Sequence, residues 1–126
     1  MSFTGHATVL LVADVARSTA YYRDALGFET SQWEVNPDHY GYASREGCHF
    51  HFARFEGGQA RPNHVEAPPD MFDAYVWVED VDELHEELTG RGAELLHGPV
   101  DQAYGLRELR VRDPDGYVVA FGKPLD

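Results

Sequence analysis

The sequence predicts an α+β fold made of two tandem βαβββ modules with a cleft on the axis that relates them. Three observations carry this expectation. Val12-Ala13-Asp14-Val15 opens a stretch that runs to Leu26-Gly27-Phe28-Glu29, and Val78-Glu79-Asp80-Val81 opens another that runs to Arg91-Gly92-Ala93-Glu94. The offset between the copies is nearly constant, 66 residues from Asp14 to Asp80 and 65 from Gly27 to Gly92. Around each copy the apolar period changes from strand to helix and back to strand.

Residues 7–12, Ala-Thr-Val-Leu-Leu-Val, form a short apolar run that reads as a buried strand. Asp14 follows as an N-cap, since its carboxylate can accept from the free N–H groups of a first helical turn. The helix spans about 15–26, because Val15, Ser18, Thr19, Tyr22 and Leu26 recur at helical spacing, and Gly27 stops it. Three strands follow at about 28–35, 39–45 and 48–55, with Gly47 in the turn before the last. Residues 56–70 contain three Pro and two Gly and read as a linker. The pattern then restarts: a strand at 72–78, Asp80 as cap, a helix at about 81–90, and a stop at Gly92. Strands near 93–97, 105–112 and 117–122 complete the second module, the last two joined by the turn Asp113-Pro114-Asp115-Gly116.

At 126 residues the chain suits a single domain, 1–126, with modules at about 5–55 and 71–123 joined by the linker 56–70. Neither module has enough core alone, so the two are expected to pack together or swap between chains. The lone Cys48 excludes an internal disulfide, and no Cys pair suggests a zinc site. No apolar run approaches about 18 residues, and Met1-Ser2-Phe3-Thr4 lacks the layout of a signal peptide. A cytoplasmic protein with no membrane partner is therefore expected. The formal net charge of −12 argues against nucleic acid, whose phosphates demand a basic face, and favours cationic ligands.

Val12 to Phe28 (Val-Ala-Asp-Val-Ala-Arg-Ser-Thr-Ala-Tyr-Tyr-Arg-Asp-Ala-Leu-Gly-Phe), Tyr104-Gly-Leu-Arg-Glu-Leu109 and Arg112-Asp-Pro-Asp-Gly-Tyr117 resemble the vicinal-oxygen-chelate superfamily. That group contains glyoxalase, extradiol dioxygenases, fosfomycin-modifying enzymes and bleomycin-resistance proteins. The resemblance covers essentially the whole chain and implies curved mixed sheets around the cleft, with the helices on the outer face. It does not choose an activity, because one fold hosts many chemistries. In metal-dependent members each module supplies two ligands, one early in its first strand and one in its last. The resemblance places these at Ala7, Asp73, Ala120 and His51, with His49 as the choice if strand pairing shifts. Two of the four positions are Ala, which has no donor atom, so the usual Lewis-acid chemistry lacks its ligands.

Several side chains qualify as ligand contacts. His49 and His51, two apart on one strand, share a face, while Phe50 and Phe52 take the other. Asp73, Tyr75 and Trp77 form a second alternating set opposite Ala74, Val76 and Val78. Large aromatic side chains on an open face suit a planar or bulky ligand, and their π-faces attract cations. Trp33, Tyr40, Tyr42 and Tyr104 add aromatics around the same concavity. Arg107 and Glu108 are read as structural ion-pair residues, and Cys48 as a small buried one. No nucleophile elbow or phosphate-binding Gly-rich loop is present.

The sequence thus predicts a small-molecule-binding protein that needs no cofactor. It resembles the bleomycin-resistance branch and is expected to hold a bulky or cationic ligand in an aromatic cleft, formed within one chain or between the chains of a homodimer. Ligand contacts are expected from Trp33, Tyr42, His49, His51, Asp73, Tyr75, Trp77 and Tyr104. Drug sequestration would make it an antibiotic-resistance protein. The alternatives are a metal-dependent lyase, transferase or dioxygenase, its divalent metal held by His49, His51, Asp73 and His6, and a metal-independent enzyme with a cleft His as general base.

Overall fold

The computed structural model describes residues 1–57, 60–67 and 71–126. Residues 58–59 and 68–70 of the expected linker lie outside the described residues. The chain divides into two compact units, Met1–Ala60 and Arg61–Asp126. Each is a βαβββ module, which gives the α+β class and the tandem repeat expected from the sequence.

Unit 1 contains β1 (Thr8–Val12), α1 (Val15–Asp24), β2 (Glu29–Gln32), β3 (Tyr40–Arg45) and β4 (Cys48–Arg54). Its strands are ordered β1-β4-β3-β2. β1 runs parallel to β4 and the other pairs are antiparallel, so the sheet is mixed. Asp14 caps α1 by accepting from the Arg17 N–H at 3.0 Å. At the other end Gly27, at φ 76°, lets Phe28 N–H reach Tyr22 O (2.9 Å) and Gly27 N–H reach Arg23 O (3.2 Å). This paired closure satisfies carbonyls the helix leaves open, and the left-handed residue it needs favours glycine.

Helix α1 covers one face of that sheet. Val15, Ser18, Thr19, Tyr22 and Leu26, the residues at helical spacing, are all buried. Tyr22 lies 4.8 Å from the Phe52 ring and 5.1 Å from that of Phe50, with Phe28 at 6.0 Å. Such aromatic pairs add about 0.5–1.5 kcal/mol each beyond the area they bury. With Phe50 and Phe52 under the helix, alternation along β4 turns His49 and His51 to the open face. Val9 and Leu11 of β1 point the same way and are about half exposed. Cys48 is half-buried rather than buried, because it begins β4 at the turn instead of lying within the sheet.

Unit 2 contains β5 (Ala74–Trp77), α2 (Val81–Arg91), β6 (Glu94–Asp101), β7 (Leu106–Arg112) and β8 (Val118–Pro124), ordered β5-β8-β7-β6. Asp80 caps α2 through the Glu83 N–H at 3.0 Å, and Gly92 closes it at φ 85°. Strand β6 runs to Asp101, beyond the expected end near residue 97. Register shifts between Leu95 and His97 and between His97 and Val100 carry it past Gly98-Pro99. Asp113 anchors the turn between β7 and β8, its Oδ1 accepting from the N–H groups of Asp115 and Tyr117. The linker contributes one 3-10 turn, Asn63–Val65, to this unit. Among the described residues no helix is long and apolar enough to cross a membrane.

Candidate functional site

Each unit presents one sheet face not covered by its helix, which carries Tyr40 and Tyr42 in unit 1 and Tyr75 and Trp77 in unit 2. In unit 1, Val9, His51 and Tyr42 stand side by side across β1, β4 and β3. The Tyr40 hydroxyl hydrogen-bonds His51 Nδ1 at 3.0 Å. The imidazole also meets the edges of Tyr40 and Tyr42, with ring centres 5.4 and 5.1 Å away. One ring nitrogen is thereby engaged, which leaves Nε2 for a ligand. His49 lies two residues back along the same face, opposite Ser44, and is exposed. Trp33 sits just past β2, fixed by its N–H to Tyr40 O at 2.9 Å, and its ring neighbours His39 rather than the His51 cluster.

In unit 2, Tyr75 and Trp77 of β5 pack at 4.7 Å between ring centres, and Phe72 adjoins Tyr75 at 5.3 Å. Trp77 is 61 % exposed and Tyr104 60 %. Between them lies Glu108 of β7, fully buried. Tyr75 donates to Glu108 Oε2 at 2.8 Å. Tyr104, Arg110 and Gln102 donate to Oε1 at 2.7, 3.1 and 3.4 Å. The Arg110 guanidinium rests over the Phe72 ring at 5.3 Å.

The strand order makes this convergence possible. β8 separates β5 from β7, and Gly122 of β8 stands opposite both Trp77 and Glu108. A Cβ on Gly122 would overlap the Tyr75 hydroxyl, so the missing side chain is the passage by which Tyr75 reaches Glu108. Tyr104 arrives separately, on the turn between β6 and β7 that closes through Gly105 N–H to Gln102 O at 3.0 Å.

Burial pushes the Glu108 carboxyl up, but hydrogen bonds from Tyr104, Tyr75 and Arg110 outweigh it and hold the group below the ordinary carboxylate value. Burial, then hydrogen bonding to Glu108, raises both Tyr75 and Tyr104. At neutral pH the cluster is therefore an ionised carboxylate, a guanidinium and two neutral phenols. Arg107, by contrast, turns away to Asp101 (2.7 Å) and Asp82 (2.9 Å).

Asp73 immediately precedes β5, and its carboxylate is committed to the backbone. Oδ1 accepts from Asn63 N–H at 2.7 Å and Oδ2 from Val118 N–H at 2.9 Å. This settles how the four positions implied by the resemblance suit a divalent metal. Val9 pairs with His51 in unit 1 and Tyr75 with Ala120 in unit 2, and Val9 and Tyr75 are one repeat apart, so His51 rather than His49 matches Ala120. Ala7 and Ala120 offer no donor, Asp73 is engaged, and His51 is left. These residues do not fit a divalent ion. His6 is exposed before β1, and no cluster of three or more potential ligands occurs among the described residues.

Sequence reasoning missed Glu108 and Gly122 as parts of this face. A glycine inside a strand was the available signal, since it marks a close approach by another group. A surface concavity lies elsewhere in unit 2, at the start of α2. It measures about 240 Å³ and is lined by Glu79, Asp82, Arg107 and Lys123 among others. None of its lining residues is aromatic, and Arg107 is consumed by its acidic neighbours, so the open sheet face is the better candidate.

Comparison with known proteins agrees with the architecture. The model of the Glyoxalase/Bleomycin resistance protein/Dioxygenase superfamily matches residues 4–121. No curated protein matches the chain. Among solved structures, the chain is similar to the bleomycin-binding protein from bleomycin-producing Streptomyces verticillus, determined with copper(II)-bleomycin. Identity is 26 %, 96 % of each chain is covered, and the TM-score is 0.71. TioX from Micromonospora sp. ML1 shares 23 % identity over 98 % of this chain and 100 % of its own, with a TM-score of 0.74. A glyoxalase/bleomycin resistance protein/dioxygenase from Nocardioides shares 19 % over 100 % and 86 %, with a TM-score of 0.69. At these identities the last two likenesses concern the fold.

Proposed function

The chain belongs to the Glyoxalase/Bleomycin resistance protein/Dioxygenase superfamily, and on that premise we propose that it binds a bulky, cationic small molecule on its aromatic sheet faces without a metal. The observation that carries this reading is the unit 2 face, where exposed Trp77 and Tyr104 and half-buried Tyr75 surround the ionised Glu108. Flat aromatic surface takes up a planar ligand and attracts positive charge, and the net charge of −12 draws cations from a distance. The likeness to a protein solved with copper(II)-bleomycin supports a ligand of that bulk. Sequestration of such a compound would amount to drug resistance.

The contacts proposed are Trp33, Tyr42, His49 and His51 in unit 1 and Tyr75, Trp77 and Tyr104 in unit 2. Asp73 contributes by holding β5 in place. A homodimer is part of the proposal, because Val9, Leu11 and Trp77 leave apolar area exposed on the same faces. Calorimetric titration with bleomycin and a panel of aromatic cations tests the binding, and sedimentation tests the dimer. Saturable binding of aromatic cations, lost in Trp77→Ala, is the expected result. No heat from any of them at high micromolar protein would remove the reading.

A further inference from the structure

We propose that Tyr75 is a specificity-determining residue, a phenol held by Glu108 as a pure hydrogen-bond acceptor, and that the group it takes is a ligand N–H on an ammonium or amidinium. The inference rests on the small-molecule reading above and sharpens its ligand.

An ionised carboxylate has lone pairs and no proton to offer, so any hydroxyl bonded to it must be the donor. Glu108 receives the Tyr75 hydroxyl on Oε2 and the Tyr104 hydroxyl on Oε1. Both phenols have then spent their only proton. Tyr104 oxygen also accepts from Arg110 at 3.2 Å. Tyr75 oxygen makes no second hydrogen bond among the described residues, and what it has left is a lone pair. Glu108 is itself fully buried, so a ligand does not touch the carboxylate and meets instead the phenol oxygen that it orients. Gly122 permits this placement, because its missing side chain lets the Tyr75 side chain lie across β8 and reach the carboxylate.

Three classes of group are sorted by this arrangement. An N–H cation gains a charge-assisted bond to Tyr75 oxygen and the neighbouring Trp77 face, 4.7 Å from the Tyr75 ring. A quaternary ammonium gains the same aromatic faces but has no N–H for the Tyr75 oxygen. A carboxylate meets a lone pair. The raised ionisation of Tyr75, caused by burial and by Glu108, keeps its proton in place throughout the neutral range.

The test compares 2-naphthylmethylammonium, its N,N,N-trimethyl analogue and 2-naphthylacetate on the full chain, by heteronuclear NMR titration. Wild type is expected to bind the ammonium about ten-fold more tightly than the trimethyl analogue, the acetate last. Tyr75→Phe keeps the ring packing and is expected to bring the two cations to equal affinity. In Glu108→Gln the amide oxygen can still serve Tyr104 while the amide N–H₂ donates to Tyr75. The Tyr75 proton then turns outward, and the preference disappears or reverses. Equal affinity of both cations in wild type, or a preference that survives Tyr75→Phe, overturns the inference and leaves cation binding intact. Binding of neither cation overturns the reading itself and the inference with it.

Discussion

Tyr75 on the edge strand of its sheet donates its hydroxyl proton to Glu108, two strands away, at 2.8 Å. A tyrosine reaches that far across a sheet only when the strand between carries no side chain at the crossing point. Gly122 is that point. The sheet therefore owes its buried carboxylate to a glycine, and the aromatic face owes its polarity to the carboxylate.

Gly122→Ala follows directly. The new methyl would occupy the place of the Tyr75 hydroxyl and swing the ring away from Glu108. Glu108 then loses one donor while remaining buried, which costs about 1–3 kcal/mol. Urea denaturation monitored by circular dichroism should show that loss. Adding Tyr75→Phe to Gly122→Ala should cost little more, because the bond is already broken. Two full, additive losses would mean that Gly122 acts independently of Tyr75.

The helices and most strand limits of this protein were legible in the sequence because their causes are local. Asp14 and Asp80 each cap the helix that follows, and Gly27 and Gly92 each take a positive φ where it ends. The alternation of Phe50 and Phe52 with His49 and His51 put the histidines on the open face without knowledge of any partner. Glu108 was not legible in the same way. Its neighbours Tyr75, Tyr104 and Arg110 come from three places in the chain, and only the order β5-β8-β7 brings the first to it. The far end of β6 was also hidden, since a strand that continues through Gly98-Pro99 needs two register shifts that no local period announces. Asp73 stood at a position where the resemblance implied a metal ligand, yet the backbone of Asn63 and Val118 claims it.

The close approach of α1 to β3 gives a second prediction. A Cβ on Gly41 would lie 2.7 Å from Val15 Cγ1 and 2.9 Å from Thr19 Cγ2, so α1 rests on bare backbone there. Gly41→Ala should lift the helix and cost about 1–3 kcal/mol, as overpacking does. Tyr40 and Tyr42 flank Gly41 but point to the other face, so ligand affinity at saturating stability should be unchanged. A variant as stable as wild type would show that the α1 contact adjusts without strain.

The pH dependence of stability should have two limbs that belong to one cluster. Glu108 is lowered in the folded chain, so its contribution is full above the ordinary carboxylate value of 4.5 and is lost as pH falls through the lowered folded value. Tyr75 is raised, so its contribution is full below 10.0 and is lost as pH rises through the raised folded value. Thermal melts across the pH range test this. Glu108→Gln should flatten the acid limb, and Tyr75→Phe should shrink the alkaline one to the share that the raised Tyr104 supplies. An acid limb that is the same in Glu108→Gln and wild type would place its origin elsewhere.

Asp73→Asn separates a structural role from a metal-binding one. The carboxylate accepts one N–H on each oxygen, from Asn63 at 2.7 Å and from Val118 at 2.9 Å. An asparagine keeps one acceptor and turns an N–H₂ group toward the other N–H, so one of the two bonds becomes a clash of donors. The cost should be about 1–3 kcal/mol even in buffer containing a chelator. Amide hydrogen exchange should report it locally, with faster exchange at Asn63 or Val118 and little change in unit 1. If Asp73 served a metal instead, the substitution would leave the chelated protein as stable as wild type. It would then lower zinc, nickel, manganese or ferrous iron uptake measured on the purified chain. The backbone bonds predict the first pattern, because a carboxylate already holding two N–H groups in place gives them up only at the expense of β5 and the turn at Asn63.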